Sequence, residues 1–130
     1  MTLTIEFTFP AQHLSMNDRM HWRDAKRLRD AWFDKCLLVA RAAGWRDLPP
    51  SNVQVTYTGI MVSDPENLAP TTKSLIDALA TGRNPKRQGA GLWPDDDDRY
   101  VTVLPNIVVR GRKPLSMRTV SIAITDRGAS

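Results

Sequence analysis

Two groups of carboxylates in this chain have the right types and spacing to work together. Asp64-Pro65-Glu66-Asn67 sets two acids two residues apart, and Asp95-Asp96-Asp97-Asp98 sets four in a row. Carboxylates held close together raise one another's pKa or repel, and a bound cation removes that penalty. Ligands that are all oxygen suit Mg²⁺, with Mn²⁺ as a substitute, far better than Zn²⁺. The chemistry expected of such a centre is metal-assisted hydrolysis of a phosphodiester. Lys73 and Asp77 are four apart and share one face of a helix, where Lys73 would reach a phosphate near the metal. Each piece also has a plainer reading. A run of four Asp is a solvated loop in many proteins, Asp64 and Glu66 suit a helix start, and Lys73–Asp77 suits an ordinary surface pair.

Other chemistries find less support. Cys36 is the single cysteine, so no internal disulfide forms, and with only His13 and His21 beside it a structural zinc site is not expected. This cysteine usage points to an intracellular, cytoplasmic protein. No nucleophile-elbow pattern supports a Ser-His-Asp triad, and Gly89-Ala90-Gly91 lacks the rest of a phosphate-cradling motif. No apolar run reaches membrane-spanning length, and the N-terminus lacks the basic start of a signal peptide. Trp22, Trp32 and Trp45 read as core or interface residues rather than base-stacking platforms.

Charge gives these carboxylates a context. The net charge of +4 is unevenly spread. Residues 1–60 carry 8 basic and 6 acidic side chains, residues 61–98 carry 4 and 7, and residues 99–130 carry 6 and 1. An acidic centre therefore lies between basic flanks. Basic surface attracts a phosphate-rich partner, and an acidic patch within it repels that partner unless a cation intervenes. The bland alternative is that the excess charge serves solubility alone.

The elements that must position these residues follow from periodicity. Leu3, Ile5, Phe7 and Phe9 alternate with polar residues, which predicts a first strand ended by Pro10. Asn17 and Asp18 are each suited to cap a helix. From about Trp22 to Ala43, the residues Ala25, Leu28, Trp32, Cys36, Val39 and Ala43 form one helix stripe, stopped by Gly44. Val53, Val55 and Tyr57 predict a second strand ending near Val62. Leu68, Thr72, Leu75, Ile76 and Leu79 predict a second helix, with Pro70 in its first turn and Gly82 as its stop. Residues 81–94 are a loop. A third strand is expected over Tyr100–Val109, where Pro105 demands an edge or a bulge. Val120, Ile122 and Ile124 predict a fourth, and the tail from Asp126 is expected to fray. The expected fold is one α+β domain over 1–130, in the order β-α-β-α-β-β, with a small mixed four-stranded sheet and two helices packed on one face. If the end of the second strand and the start of the third are adjacent, at least three carboxylates converge.

Taken together, Asp64-Pro65-Glu66-Asn67-Leu68, Lys73, Asp77-Ala78-Leu79 and Gly91-Leu92-Trp93-Pro94-Asp95-Asp96 resemble the signature of the RusA family of Holliday-junction resolvases, common on phages and prophages. Leu14 to Trp22 resembles the Asn-containing loop after that family's first strand. Glu66 stands where many members have Asp, and the loop 81–90 is expanded. The resemblance implies a homodimer that binds four-way DNA junctions, each subunit nicking one strand with Mg²⁺. It implies that Asp64, Glu66 and Asp96 bind metal and catalyse, that Asp95 supports them at the metal, and that Lys73 is the catalytic lysine. Asn17, with Arg23, Lys26 and Arg27, then Arg83, Lys86 and Arg87, then Arg110, Arg112, Lys113 and Arg118, would contact the DNA, the basic ones by tracking its backbone. Two rival readings remain: a phage nuclease that prefers forks or flaps, and a non-catalytic DNA-binding protein with a regulatory or structural metal.

Overall fold

The computed structural model describes residues 2–16 and 19–128. It contains five strands and two helices: β1 (Thr2–Thr8), α1 (Trp22–Ala43), β2 (Ser51–Ile60), α2 (Ala69–Leu79), β3 (Val101–Val103), β4 (Ile107–Arg110) and β5 (Thr119–Asp126). One mixed sheet runs in the order β1-β5-β2-β3, with β4 also pairing β2. β5 is antiparallel to both β1 and β2, whereas β3 and β4 run parallel to β2. The α+β class and the mixed sheet agree with expectation. No helix among the described residues is long and apolar enough to cross a membrane.

Alternation decides which face of the sheet is covered. Val53, Val55 and Tyr57 of β2 and Val120, Ile122 and Ile124 of β5 are buried against the helices. α1 contributes Trp32, Phe33, Cys36 and Ala40, so its inward seam lies on Phe33 and Ala40 rather than on Ala43, which is exposed. Trp32 anchors an aromatic cluster, edge-on to Phe9 at 4.8 Å, and donates its indole N–H to the Gln12 carbonyl at 3.0 Å. Burial pushes the Cys36 thiol up to about 12, which leaves it protonated in the core. His21 caps α1, accepting from the Arg23 amide at 3.1 Å. Asn17 and Asp18 lie outside the described residues. Gly44 closes the helix in the left-handed conformation, φ 77°.

The expected third strand is two strands. Pairing advances four residues from Val103 to Ile107 while β2 advances three, from Val53 to Thr56. The extra residue is a bulge at Pro105, which has no N–H to give the ladder. Its consequence is a change of face. Val103 points with Val53 toward the helices, and Ile107 points with Thr56 away from them. The tail also differs from expectation. β5 continues to Asp126, and Arg127 is tied down, its amide donating to Pro50 and its guanidinium to the Asp98 and Arg99 carbonyls and to Thr102. Ala129 and Ser130 lie outside the described residues.

Candidate active site

α2 is the element that positions the chemistry. It is buried nearly all round, since Thr71, Thr72, Ser74, Leu75, Ile76, Ala78 and Leu79 are all buried. Between Thr71 and Leu79 only Lys73 and Asp77 reach solvent. A helix enclosed this way is packed on every side: α1 and the sheet lie on two sides, and the loop after it closes another. Thr71 clasps the Leu14 backbone, accepting from its N–H at 2.8 Å and donating to its carbonyl at 2.9 Å. This fixes the loop that follows β1 against the helix.

The same enclosure sets the aspartate run. The chain doubles back along the C-terminal end of α2. Ala90 and Leu92 donate their amides to Ala78 and Leu79, at 2.7 and 2.9 Å, and Thr81 donates to Trp93 at 2.8 Å. Gly89 passes so close that a Cβ there would overlap the Ala80 carbonyl oxygen, so only glycine fits. On the other side Asp47 and Leu48 donate to Gly91 and Leu92. Trp93 is buried and its indole N–H reaches the Ser51 hydroxyl at 3.2 Å, which in turn donates to the Pro49 carbonyl. Asp95 and Asp96 therefore emerge from a segment stitched down on both edges.

The four aspartates have separate tasks. Asp96 pairs with the Lys73 ammonium, which also bonds Asp77 at 2.9 Å. Asp95 accepts from Arg83 at 2.6 Å and from the Asp96 amide at 2.8 Å. Asp97 holds Arg99 with both carboxylate oxygens, and its carbonyl accepts the Tyr100 and Val101 amides that lead into β3. Asp98 offers its carbonyl to Arg127. Asp77, absent from the expected metal and catalytic set, thus belongs to the cluster. The signal that finds it is its place four residues after Lys73.

Charge separates the two carboxylates on Lys73. The Lys73 hydrogen bond holds Asp96 below the usual carboxylate range. Burial raises Asp77, Lys73 offsets part of that, and the neighbouring Asp96 raises it further. Burial alone would lower Lys73, but its two carboxylates outweigh this, and it stays firmly cationic.

Lys73 and Asp96 form a ridge between two clefts. The first, about 470 Å³, is strongly charged, lined by Asp77, Arg83, Arg87, Asp95 and Asp97 among others. The second, about 510 Å³, carries Glu66 and mostly apolar walls. Asp64 lines neither, and spends its carboxylate on the Glu66 amide at 3.0 Å, capping the short 3₁₀ turn Pro65–Leu68. Among the described residues no three Asp, Glu, His or Cys side chains are gathered as a metal-ligand set. Topology shows that the strand ends expected to bring the two acidic segments together are not adjacent. β2 and β3 are parallel, so the end of one and the start of the next lie at opposite ends of the sheet. Glu66 sits before α2, whereas the chain carrying Asp96 returns alongside the helix to Lys73, so that Glu66 and Asp96 line the same cleft.

The expected DNA-contacting residues fall into three places. On α1, Lys26 pairs with Asp30 at 2.7 Å, Arg27 with Asp24 at 3.5 Å, and Arg23 lies over the Trp22 ring. Beside the charged cleft, Arg83 holds Asp95, Lys86 is exposed, and Arg87 stacks on Phe33 and bonds Asp30 at 2.9 Å. At the far end of β2, Arg112, Lys113 and Arg118 line a hollow of about 370 Å³, with Arg110 closing β4 nearby. Among the described residues Arg110, Arg112 and Lys113 have no acidic partner. Asn17 is outside the described residues.

No protein-family model matches this chain, and no curated protein matches its sequence.

Proposed function

We propose that this chain is a Mg²⁺-dependent endodeoxyribonuclease that resolves four-way DNA junctions by paired nicks in recombination and repair, acting in the cytoplasm as a homodimer. One observation carries the reading. A helix enclosed on all sides opens to solvent at Lys73 and Asp77, and a distant, firmly stitched loop delivers Asp96 to that opening. A helix built only for the core has no use for such a window.

The donor chemistry around the ridge is all oxygen, which fits a hard divalent cation. Asp96 would hold it, with Asp95 beside it and Glu66 from the shared cleft as further oxygen donors, and Asp64 would join them on releasing the Glu66 amide. When bound, the ion polarises the scissile phosphate and lowers the pKa of a water. The protein's own residues do the rest. Lys73, kept cationic, neutralises charge that develops on the phosphate oxygens. Asp96, kept ionised, stays an acceptor at neutral pH. The open cations Arg112 and Lys113 draw the DNA backbone without reading its sequence.

The test compares nicking of four-way, forked and linear duplex DNA in Mg²⁺. Paired symmetric nicks in the four-way substrate are expected. A preference for forks or flaps assigns the activity to a related nuclease instead. A second reading, a non-catalytic DNA-binding protein, is favoured by one observation: Asp96 is already neutralised by Lys73. Binding without any cleavage in Mg²⁺ or Mn²⁺ decides for it.

A further inference from the structure

The second cleft holds a polar chain with a fixed direction. Asn106 lies in the bulge around Pro105 and turns toward α2. Its Nδ2 lies 3.3 Å from the Pro65 carbonyl, its Oδ1 lies 2.9 Å from the Thr72 hydroxyl, and that hydroxyl lies 2.6 Å from the buried Tyr57 hydroxyl. A carbonyl only accepts, so the amide must present its N–H to Pro65. Its Oδ1 also only accepts, so Thr72 donates to it and accepts from Tyr57. Burial raises the Tyr57 pKa, which keeps that hydroxyl a donor. One proton arrangement satisfies every member, and chains of this kind reinforce themselves.

This relay uses one of Asn106's two amide protons. Among the described residues the second has no protein acceptor, and Asn106 lines the cleft. Around it the walls are apolar: Met16, Ile76, Val103, Leu104 and Pro105. A cleft of about 510 Å³ with mostly apolar walls, one oriented amide and the charged groups of Glu66, Lys73 and Asp96 in its lining has the size and make-up of a small-ligand site. It is contiguous with the Lys73–Asp96 ridge, which borders the charged cleft on its other side.

The structure assigns this cleft to an unstacked nucleobase next to the phosphate held at Lys73, with Asn106 donating its second N–H to an acceptor on the base edge. The assignment rests on the nuclease reading and deepens it. A nucleotide has the same division as the site: an anionic backbone for the ridge and charged cleft, and a flat apolar base with edge acceptors for the other side. Taking a base out of the stack is easiest where pairing is already interrupted, as at a branch point. The carboxamide's fixed orientation gives selectivity, because a base offering a donor at that place leaves two donors facing each other.

The probe is a four-way junction carrying 2-aminopurine at one position at a time around the branch point, titrated with the intact protein in Ca²⁺. 2-Aminopurine brightens when it leaves the stack. Brightening is expected at one position. Asn106→Ala should abolish it and weaken junction binding roughly tenfold, the worth of about one hydrogen bond. Val103→Trp fills the cleft from an exposed strand position that makes none of the relay's hydrogen bonds, and should also abolish it. Junction binding with no position brightening overturns the assignment, as does brightening that survives both variants. If no branched DNA binds at all, the isotherm shows that the nuclease reading has failed and the assignment with it.

Discussion

Two lysine–aspartate pairs in this molecule share the same spacing and face opposite situations. On α1, Lys26 and Asp30 bond at 2.7 Å, and Arg87 adds a second cation to Asp30 at 2.9 Å. On α2, Lys73 and Asp77 bond at 2.9 Å, and Asp96 adds a second anion to Lys73. One trio has an aspartate between two cations, and the other a lysine between two aspartates. The pKa directions follow. Lys26 chiefly holds Asp30 low, whereas burial and Asp96 push Asp77 up. Spacing of i, i+4 therefore says only that two charges meet. What the third charge is, and how much solvent remains, decides whether the pair is a surface ornament or a strained group of like charges.

The largest effect should separate the trios by activity. Asp96→Asn is expected to reduce junction nicking by roughly 10²–10³-fold, the range for losing one key electrostatic group. Asp30→Asn should leave nicking near wild type, and by releasing Lys26 and Arg87 it should tighten non-specific DNA binding. Nicking assays on both variants check this, and equal losses would erase the distinction. A middle-sized effect contrasts paired with open cations. Replacing Arg112 and Lys113 together by alanine should weaken junction binding roughly tenfold and reduce the slope of log affinity against log salt by about two. An unchanged slope places them away from DNA.

The smallest effect is on stability, and its sign differs between the trios. Asp30 has a lowered folded pKa, so its pairing stabilises above the unfolded value of about 4 and is lost as pH falls through the folded value. Asp77 has a raised folded pKa, so folding carries a penalty that grows as pH rises from about 4 through the raised value. Asp30→Asn should therefore destabilise at pH 7, and Asp77→Asn should be neutral or stabilising, each by under about 1 kcal/mol because both are partly exposed. Both differences should shrink below about pH 4. Urea unfolding at pH 7 and pH 3 measures them, and a shared sign would count against the opposition drawn here.

Much of the fold was legible because period and punctuation agree. Alternation located β1, β2 and β5, the three-and-four stripe located both helices, and Gly44 stopped the first. Pro105 announced an edge or bulge, but periodicity has no means of saying that the bulge turns the strand over. Within the tail expected to fray from Asp126, Arg127 is held, and its anchors Asp98, Arg99 and Thr102 were not legible because they are distant in sequence. In the candidate site, Asp95, Asp96 and Lys73 were legible as residues worth watching. Their grouping was not. The expected convergence with Asp64 assumed neighbouring strand ends, and only the parallel direction of β3 reveals that those ends lie at opposite ends of the sheet. Asn106 carried no signal at all, since a lone Asn beside a proline reads as a turn.

The stitched segment before Asp95 has a consequence for how the molecule fails. The amides of Ala90 and Leu92 bond to carbonyls of Ala78 and Leu79, so opening this stretch strips the last turn of α2 of its partners and bares the buried Leu92 and Trp93. Local openings, which in most proteins release functional loops first, would here expose part of the core. The amides of 90 and 92 and those of α2 belong to one cooperative unit. They should exchange with solvent deuterium together, and on heating the site should disappear in the same transition as the domain itself.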